Sequence, residues 1–288
     1  GGNEFEPGSM ELTDRVYTND GKGNFKRELT VLPKLKESGS VVRPYDFDSD
    51  GDLDLFIGGR LVPGMWPSPA SSRLLKNESG VFVDVTSEMA PELIDFGLVT
   101  DAIWTNLDKD NVELVIAGEW MPVTVFRKVN DKFENITADC GLNNEVGWWY
   151  SLAAADVNSD GLYDLVAGNL GLNYKYKASQ EEPFQIYYDD FDNTGSGDIV
   201  LGYFNDGELF PLRGRQCSSD QMPFLKEKFE TYHDFGSASL VDVYGSEALS
   251  NALHYKATNF ASSVILNTGD SLKVENLPTF SQLSSVND

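Results

Sequence analysis

Apolar residues in this chain come in short runs that end at glycine. LDLFIGG at 53–59, ELVIAGEW at 113–120, DLVAGN at 164–169 and DIVLGYF at 198–204 follow this pattern. Runs of this length, rich in Val, Ile and Phe, predict buried strands rather than helices. A second pattern interleaves with the first. VYTNDGKGNFKREL begins at Val16, LLKNESGVFVDVT at Leu74, VFRKVNDKFENIT at Val125 and VILNTGDSLKVENL at Val264. Each is an apolar strand, a turn of Asn, Asp, Ser or Gly, and an alternating strand, which predicts a β-hairpin. Phe25, Phe82 and Phe133 stand just after the turn in the first three, and Leu272 in the fourth.

Together these give a repeating unit: strand, acidic loop, apolar strand with a glycine motif, then hairpin. The units beginning at 46, 106 and 156 are spaced by 60 and 50 residues. Four strands at this period predict the blades of a β-propeller. The expected fold is all-β: four-stranded blades over residues 1–288, about four to five in number, with incomplete terminal blades. The chain opens at GGNEFEPGS and closes at QLSSVND, a first strand ending just before its acidic loop. It is therefore expected to be part of a larger propeller. Residues 205–258 break the pattern and predict a small helical insertion within the fourth unit. There, Leu225, Phe229 and Tyr232 follow helical spacing, with Asp220 as N-cap and Pro223 in the first turn. GSEALSNALHYKA predicts a second short helix burying Leu249, Ala252 and Leu253.

The loops before the apolar strands carry the candidate chemistry. DFDSDGDLD places Asp46, Asp48, Asp50 and Asp54 at positions 1, 3, 5 and 9, with Gly51 at position 6 and the carbonyl of Asp52 at position 7. Like charges this close repel unless a cation cancels them, and an all-oxygen set with flexible spacing favours Ca²⁺. An EF-hand would need a bidentate Glu at position 12, where Ile57 stands, and a helix to follow. A strand follows instead. The loop recurs as Asp156, Asn158, Asp160, Leu162 (through its carbonyl) and Asp164, and again as Asp190, Asp192, Thr194, Ser196 (through its carbonyl) and Asp198. The last reads as the turn of the third unit's outer hairpin. A fourth version keeps Asn106, Asp108 and Asp110, but has lost the glycine and is one residue shorter, so Glu113 is out of register. It is expected to be weak or metal-free.

The formal net charge of −24 argues against nucleic acid or an anionic membrane as partner. No apolar run reaches the length of a transmembrane helix. Cys140 and Cys217 are too few for a disulfide scaffold and are read as a pair or as two free thiols. Loops of this kind serve where calcium is millimolar, so the expected location is extracellular or at the cell surface, the outer membrane included.

The loops, followed by IGGR, IAGEW and VAGNLG, resemble FG-GAP/VCBS repeats, the blades of integrin-α-like β-propellers. GGRLVPGMWPSP, VTDAIWTNLD, GEWMPVTVF, VAGNLGLNYKYKAS and QMPFLKEKF are similar to a bacterial surface or secreted branch whose members often carry ASPIC/UnbV-type modules. The resemblance covers nearly the whole chain. It implies a calcium-stabilised extracellular propeller with calcium ligands at the loop positions named above, and no single partner.

No GxSxG, HExxH or GxxxxGK[ST] occurs, and the two histidines are His233 and His254. Glu119 is the best loose candidate for acid/base chemistry. Trp66, Trp120, Trp148, Trp149 and Tyr150 lie near predicted loops, where they would stack on sugars or fill gaps between blades. Arg213 and Arg215 would clamp an anion or pair with carboxylates. The expected function is non-catalytic recognition or scaffolding in a cell-surface assembly, with a protein or glycan partner. The alternative is a carbohydrate-binding or carbohydrate-active propeller.

Overall fold

The structure is a computed structural model that describes residues 4–108 and 111–287. It is built from antiparallel sheets. A two-stranded hairpin, β1 (Val16–Asn19) with β2 (Phe25–Glu28), comes first. A four-stranded meander follows: β3 (Ser38–Tyr45), β4 (Asp54–Leu61), β5 (Arg73–Glu78) and β6 (Val81–Asp84). After a short helix α1 (Thr86–Met89) the pattern repeats as β7 (Leu98–Thr105), β8 (Glu113–Pro122), β9 (Thr124–Val129) and β10 (Lys132–Asn135). A fifth strand, β11 (Val146–Trp148), pairs with the far end of β8.

The third unit begins normally with β12 (Ser151–Ala155) and β13 (Asp164–Gly168). The chain then leaves to build a whole further sheet. β14 (Phe184–Asp189), β15 (Asp198–Asn205) and β16 (Glu208–Pro211) form a meander. Helices α2 (Arg215–Gln221), α3 (Phe224–Lys228), α4 (Tyr232–Gly236), α5 (Leu240–Tyr244) and α6 (Ser246–Asn251) follow. β17 (Leu253–Ala257) then pairs with β14. Only afterwards do β18 (Ser263–Asn267) and β19 (Leu272–Asn276) complete the third sheet, in the order β12-β13-β18-β19.

This order corrects two expectations. The Asp190 loop is not the turn of the third unit's outer hairpin. That hairpin is β18–β19, and the Asp190 loop joins β14 to β15 inside the inserted sheet. Nor is the stretch 205–258 purely helical, because it contains β16 and β17. Two helix assignments change with it. Asp220 lies within α2 rather than capping a helix, and Tyr232 is 64% exposed. The second short helix stops at Asn251, and Leu253 and His254 belong to β17, where the backbone of Tyr188 and Tyr187 claims their ladder positions. Among the described residues the C-terminal stretch after Gln282 forms no strand. Val286 instead donates its N–H to the Asn169 carbonyl at 3.0 Å.

The apolar runs are explained by burial on both faces. Along β8, Leu114 and Ile116 enter the core shared with Phe56, Leu74 and Phe126, while Val115 and Ala117 enter the core shared with Trp149, Leu152, Leu165 and Ile265. A strand sandwiched between two sheets has no polar face to alternate with. Each fully buried aliphatic side chain here contributes about 1.5–3 kcal/mol of transfer free energy. The first strands β3, β7 and β12 pack in succession, β3 against β7 and β7 against β12. The glycines ending the second strands serve close approach rather than turning. A Cβ on Gly59 would lie 2.2 Å from the Ser71 carbonyl oxygen, and one on Gly168 2.2 Å from that of Val286.

Candidate metal centre

Three acidic loops adopt one backbone shape. Position 4 is left-handed in each, with φ of 65° at Ser49, 65° at Ser159 and 57° at Asn193. Position 6 is a left-handed glycine in each, at 98° for Gly51, 86° for Gly161 and 85° for Gly195. The first residue uses both carboxylate oxygens to hold that shape. Asp46 accepts from the N–H groups of Asp50 and Gly51, both at 3.1 Å. Asp156 accepts from Asp160 at 3.1 Å and Gly161 at 3.0 Å. Asp190 accepts from Thr194 at 2.9 Å and Gly195 at 2.7 Å.

The closing residue is buried in all four versions of the loop. Asp54 and Asp164 are 0% exposed, Glu113 is 0% and Asp198 is 4%. Each accepts the N–H of loop position 2: Phe47 to Asp54 at 3.0 Å, Leu107 to Glu113 at 2.9 Å, Val157 to Asp164 at 3.0 Å and Phe191 to Asp198 at 3.0 Å. The second oxygen of Asp54 takes the N–H of Asn77 on β5, and that of Asp164 takes the N–H of Asn267 on β18, both at 2.8 Å. The closing acid therefore staples its loop to two neighbouring backbone segments. Burial pushes the carboxyls of Asp54 and Asp198 above the usual range.

The sequence-predicted ligands converge unequally. Carboxylate oxygens of Asp46, Asp48 and Asp50 lie within 4.8 Å of one another, as do those of Asp190, Asp192 and Asp198. In the Asp156 loop Asn158 donates to Asp160 at 2.8 Å. Two buried carboxylate oxygens, Oδ1 of Asp52 and Oδ1 of Asp192, have no hydrogen-bond partner. Burial raises the Asp52 carboxyl, and the charge of Asp50 beside it adds to the effect. Asp192 belongs to a converging set, and an orphaned acceptor among converging carboxylates is what a hard cation would satisfy, so the donor set at 190–198 fits Ca²⁺.

The fourth version is different. Arg127 on β9 donates to Glu113 at 2.9 Å through Nε, and its other arm lies 2.9 Å from Asp108. Asp110 lies outside the described residues. Two of the loops are also gripped by the following unit. Lys128 donates to the carbonyl of Phe47 at 3.0 Å, and Asn267 to that of Leu107 at 2.6 Å. Position 2 of the loop is the target both times. Sequence reasoning missed Lys76, Asn77, Arg127 and Asn267, although the parallel of LKN and ILN at the start of two hairpins carried the signal.

Residues 148–180 are an FG-GAP repeat. The repeat begins at the end of β11, takes in β12, the Asp156 loop and β13, and runs into the tyrosine-rich segment after Asn169. No curated protein matches the chain.

The remaining candidates are occupied structurally. Glu119 accepts from Arg60 at 2.5 Å and from the Trp66 indole at 3.0 Å. Trp120, Trp148, Tyr176, Phe184 and Phe260 form one ring cluster, while Trp149 lies in the core between the second and third sheets. Tyr150, burial-shifted with the Glu119 charge nearby, has its phenol pushed up to about 12. Arg215 donates to the carbonyl of Phe229 and Arg213 to Gln221, rather than to carboxylates. His254 stacks on Tyr187 and contacts Gln185. Cys140 and Cys217 are free thiols.

Proposed function

We propose that this chain is the calcium-binding portion of a β-propeller that serves as a non-catalytic recognition or scaffold module in an extracellular, cell-surface assembly. The single observation that carries the reading is the shared backbone of the loops at 46–54, 156–164 and 190–198, with left-handed positions 4 and 6 in each. A turn crowded with like charges is repeated only where it has a use, and cross-bracing two buried strands through an ion is one. Asp46, Asp48, Asp50, the Asp52 carbonyl and Asp54 would hold the first ion. Asp156, Asn158, Asp160, the Leu162 carbonyl and Asp164 would hold the second. Asp190, Asp192, Thr194, the Ser196 carbonyl and Asp198 would hold the third. The succession of β3, β7 and β12 supports blades arranged about an axis. The bacterial surface branch and its partner modules belong to the same proposal.

A thermal melt in millimolar calcium and in excess chelator tests the calcium reading. A ligand binding only the folded state adds about 2.7 kcal/mol at a hundredfold excess over Kd. The expected result is a higher midpoint in calcium, blunted by Asp48→Ala with Asn158→Ala. Identical melts would overturn it.

A second reading is favoured by one cleft. A cavity of about 400 Å³ between the segment after Asn169 and the inserted sheet is lined by Lys175, Tyr176, Lys177, Glu182, Tyr203 and Phe204. Aromatic faces beside charged groups suit a saccharide. Binding on an immobilised glycan array, lost with Tyr203→Ala, would favour this carbohydrate-binding role over a protein partner. Turnover of the bound glycan would overturn the non-catalytic reading.

A further inference from the structure

The residue opposite the closing acid on the third strand of each unit differs from loop to loop, and the register fixes its identity. Leu55 pairs with Leu75, which sets Asp54 opposite Lys76. Leu114 pairs with Phe126, which sets Glu113 opposite Arg127. Leu165 pairs with Ile265, which sets Asp164 opposite Leu266. In the inserted sheet β16 ends at Pro211, short of the Asp198 loop. One position thus carries Lys, Arg, Leu and no strand residue.

The side chains use this position in different ways. The Lys76 ammonium pairs with Asp48 and lies 3.6 Å from Asp50. Arg127 spans Glu113 and Asp108 at 2.8 and 2.9 Å. Leu266 offers no charge.

We propose that this cross-strand position sets how each loop is neutralised: Arg127 is the permanent counter-ion of the loop at 106–113, Lys76 competes with metal in the loop at 46–54, and the loops at 156–164 and 190–198 depend on metal alone. The inference rests on the calcium reading and deepens it. Arginine holds a carboxylate pair by a rigid fork, and removing it would strand the buried Glu113 charge. Lysine is a single point charge on a flexible stem and can withdraw to solvent. An ion entering the first loop must displace that ammonium from two of its ligands. An ion entering the 156–164 loop meets no ammonium, and the side-chain contact between its ligands there is the Asn158–Asp160 hydrogen bond.

Calcium titration calorimetry at fixed ionic strength tests this on the whole chain, with wild type, Lys76→Met, Leu266→Lys and Leu266→Met as the packing control. Lys76→Met is expected to tighten one weak site about tenfold, and adding Asp46→Ala should abolish that site. Leu266→Lys, but not Leu266→Met, is expected to weaken one tight site by a similar factor. Calcium heats unchanged by Lys76→Met would overturn the inference and leave the calcium reading standing. Absence of calcium heat in every variant would overturn both. If Leu266→Lys fails to fold, the Lys76→Met comparison decides alone.

Discussion

The guanidinium of Arg43 on β3 lies 2.5 Å from Oδ1 of Asp101 on β7. The other oxygen of Asp101 accepts the N–H of Leu152 on β12 at 2.9 Å. One carboxylate therefore joins the first strands of three consecutive sheets. It does so from the irregularity between Val99 and Asp101, where the strand register shifts. Its side chain is 13% exposed, so water cannot readily replace the lost partners. Asp101→Ala should cost about 2 kcal/mol, with Asp101→Asn milder because it keeps an acceptor for Leu152. Urea unfolding of the two variants checks this, and equal losses would mean that the Leu152 contact contributes nothing.

Asn169 closes the third sheet across its long insertion. It is fully buried, accepts the N–H of Trp148 at 3.2 Å and of Leu170 at 2.8 Å, and donates to Asn259 at 3.0 Å and Ala261 at 3.3 Å. Asn169→Leu leaves backbone groups unpaired on both sides of the insertion. A loss of about 3 kcal/mol or more is expected in equilibrium unfolding. Proteolysis of the folded variant should begin within residues 170–262, where the insertion is no longer tied.

Glycine substitutions should change sign with backbone conformation. Gly161→Ala places a side chain at φ 86° and is expected to cost about 1–2 kcal/mol. Gly236→Ala, at the end of α4 with open space around it, should stabilise by up to about 1 kcal/mol. Thermal denaturation of the pair reads both signs in one experiment.

Glu113 makes acid stability testable. Burial raises its carboxyl above the usual range, against the opposing pull of the Leu107 N–H and Arg127. With the folded value above the unfolded one, the folded state holds the proton longer. The group's contribution to stability therefore falls as pH rises through the window between the two values. The stability difference between wild type and Glu113→Gln should shrink as pH rises above the ordinary carboxyl range. A flat difference would show that Glu113 is not desolvated.

Tyr150 makes the alkaline counterpart. Its phenol is pushed up to about 12, from an ordinary value of 10.0. Its contribution is present below the unfolded value and lost as pH rises toward the folded one. Spectrophotometric titration of Tyr150→Phe should lack one late-ionising phenol and show shallower alkaline destabilisation.

The sequence by itself determined what depends on neighbours along the chain. Gly51, Gly161 and Gly195 sit six residues into acidic loops because the turn demands φ > 0, and that demand is local. The apolar runs at Leu114–Ala117 and Leu165–Ala167 determined buried strands for the same reason. Tertiary structure decided what depends on residues far apart. Where the third sheet is completed was decided by β18 returning to β13 after the insertion, a pairing no local pattern announces, because a complete sheet inside a sheet reads like the next repeat. His254, inside the stretch GSEALSNALHYKA expected to be helical, fell in a strand where it pairs with Tyr187. The partners of the acidic loops were also decided at a distance. Lys76, Arg127 and Leu266 are twelve or more residues from the acids they face, and only antiparallel register brings each to its loop.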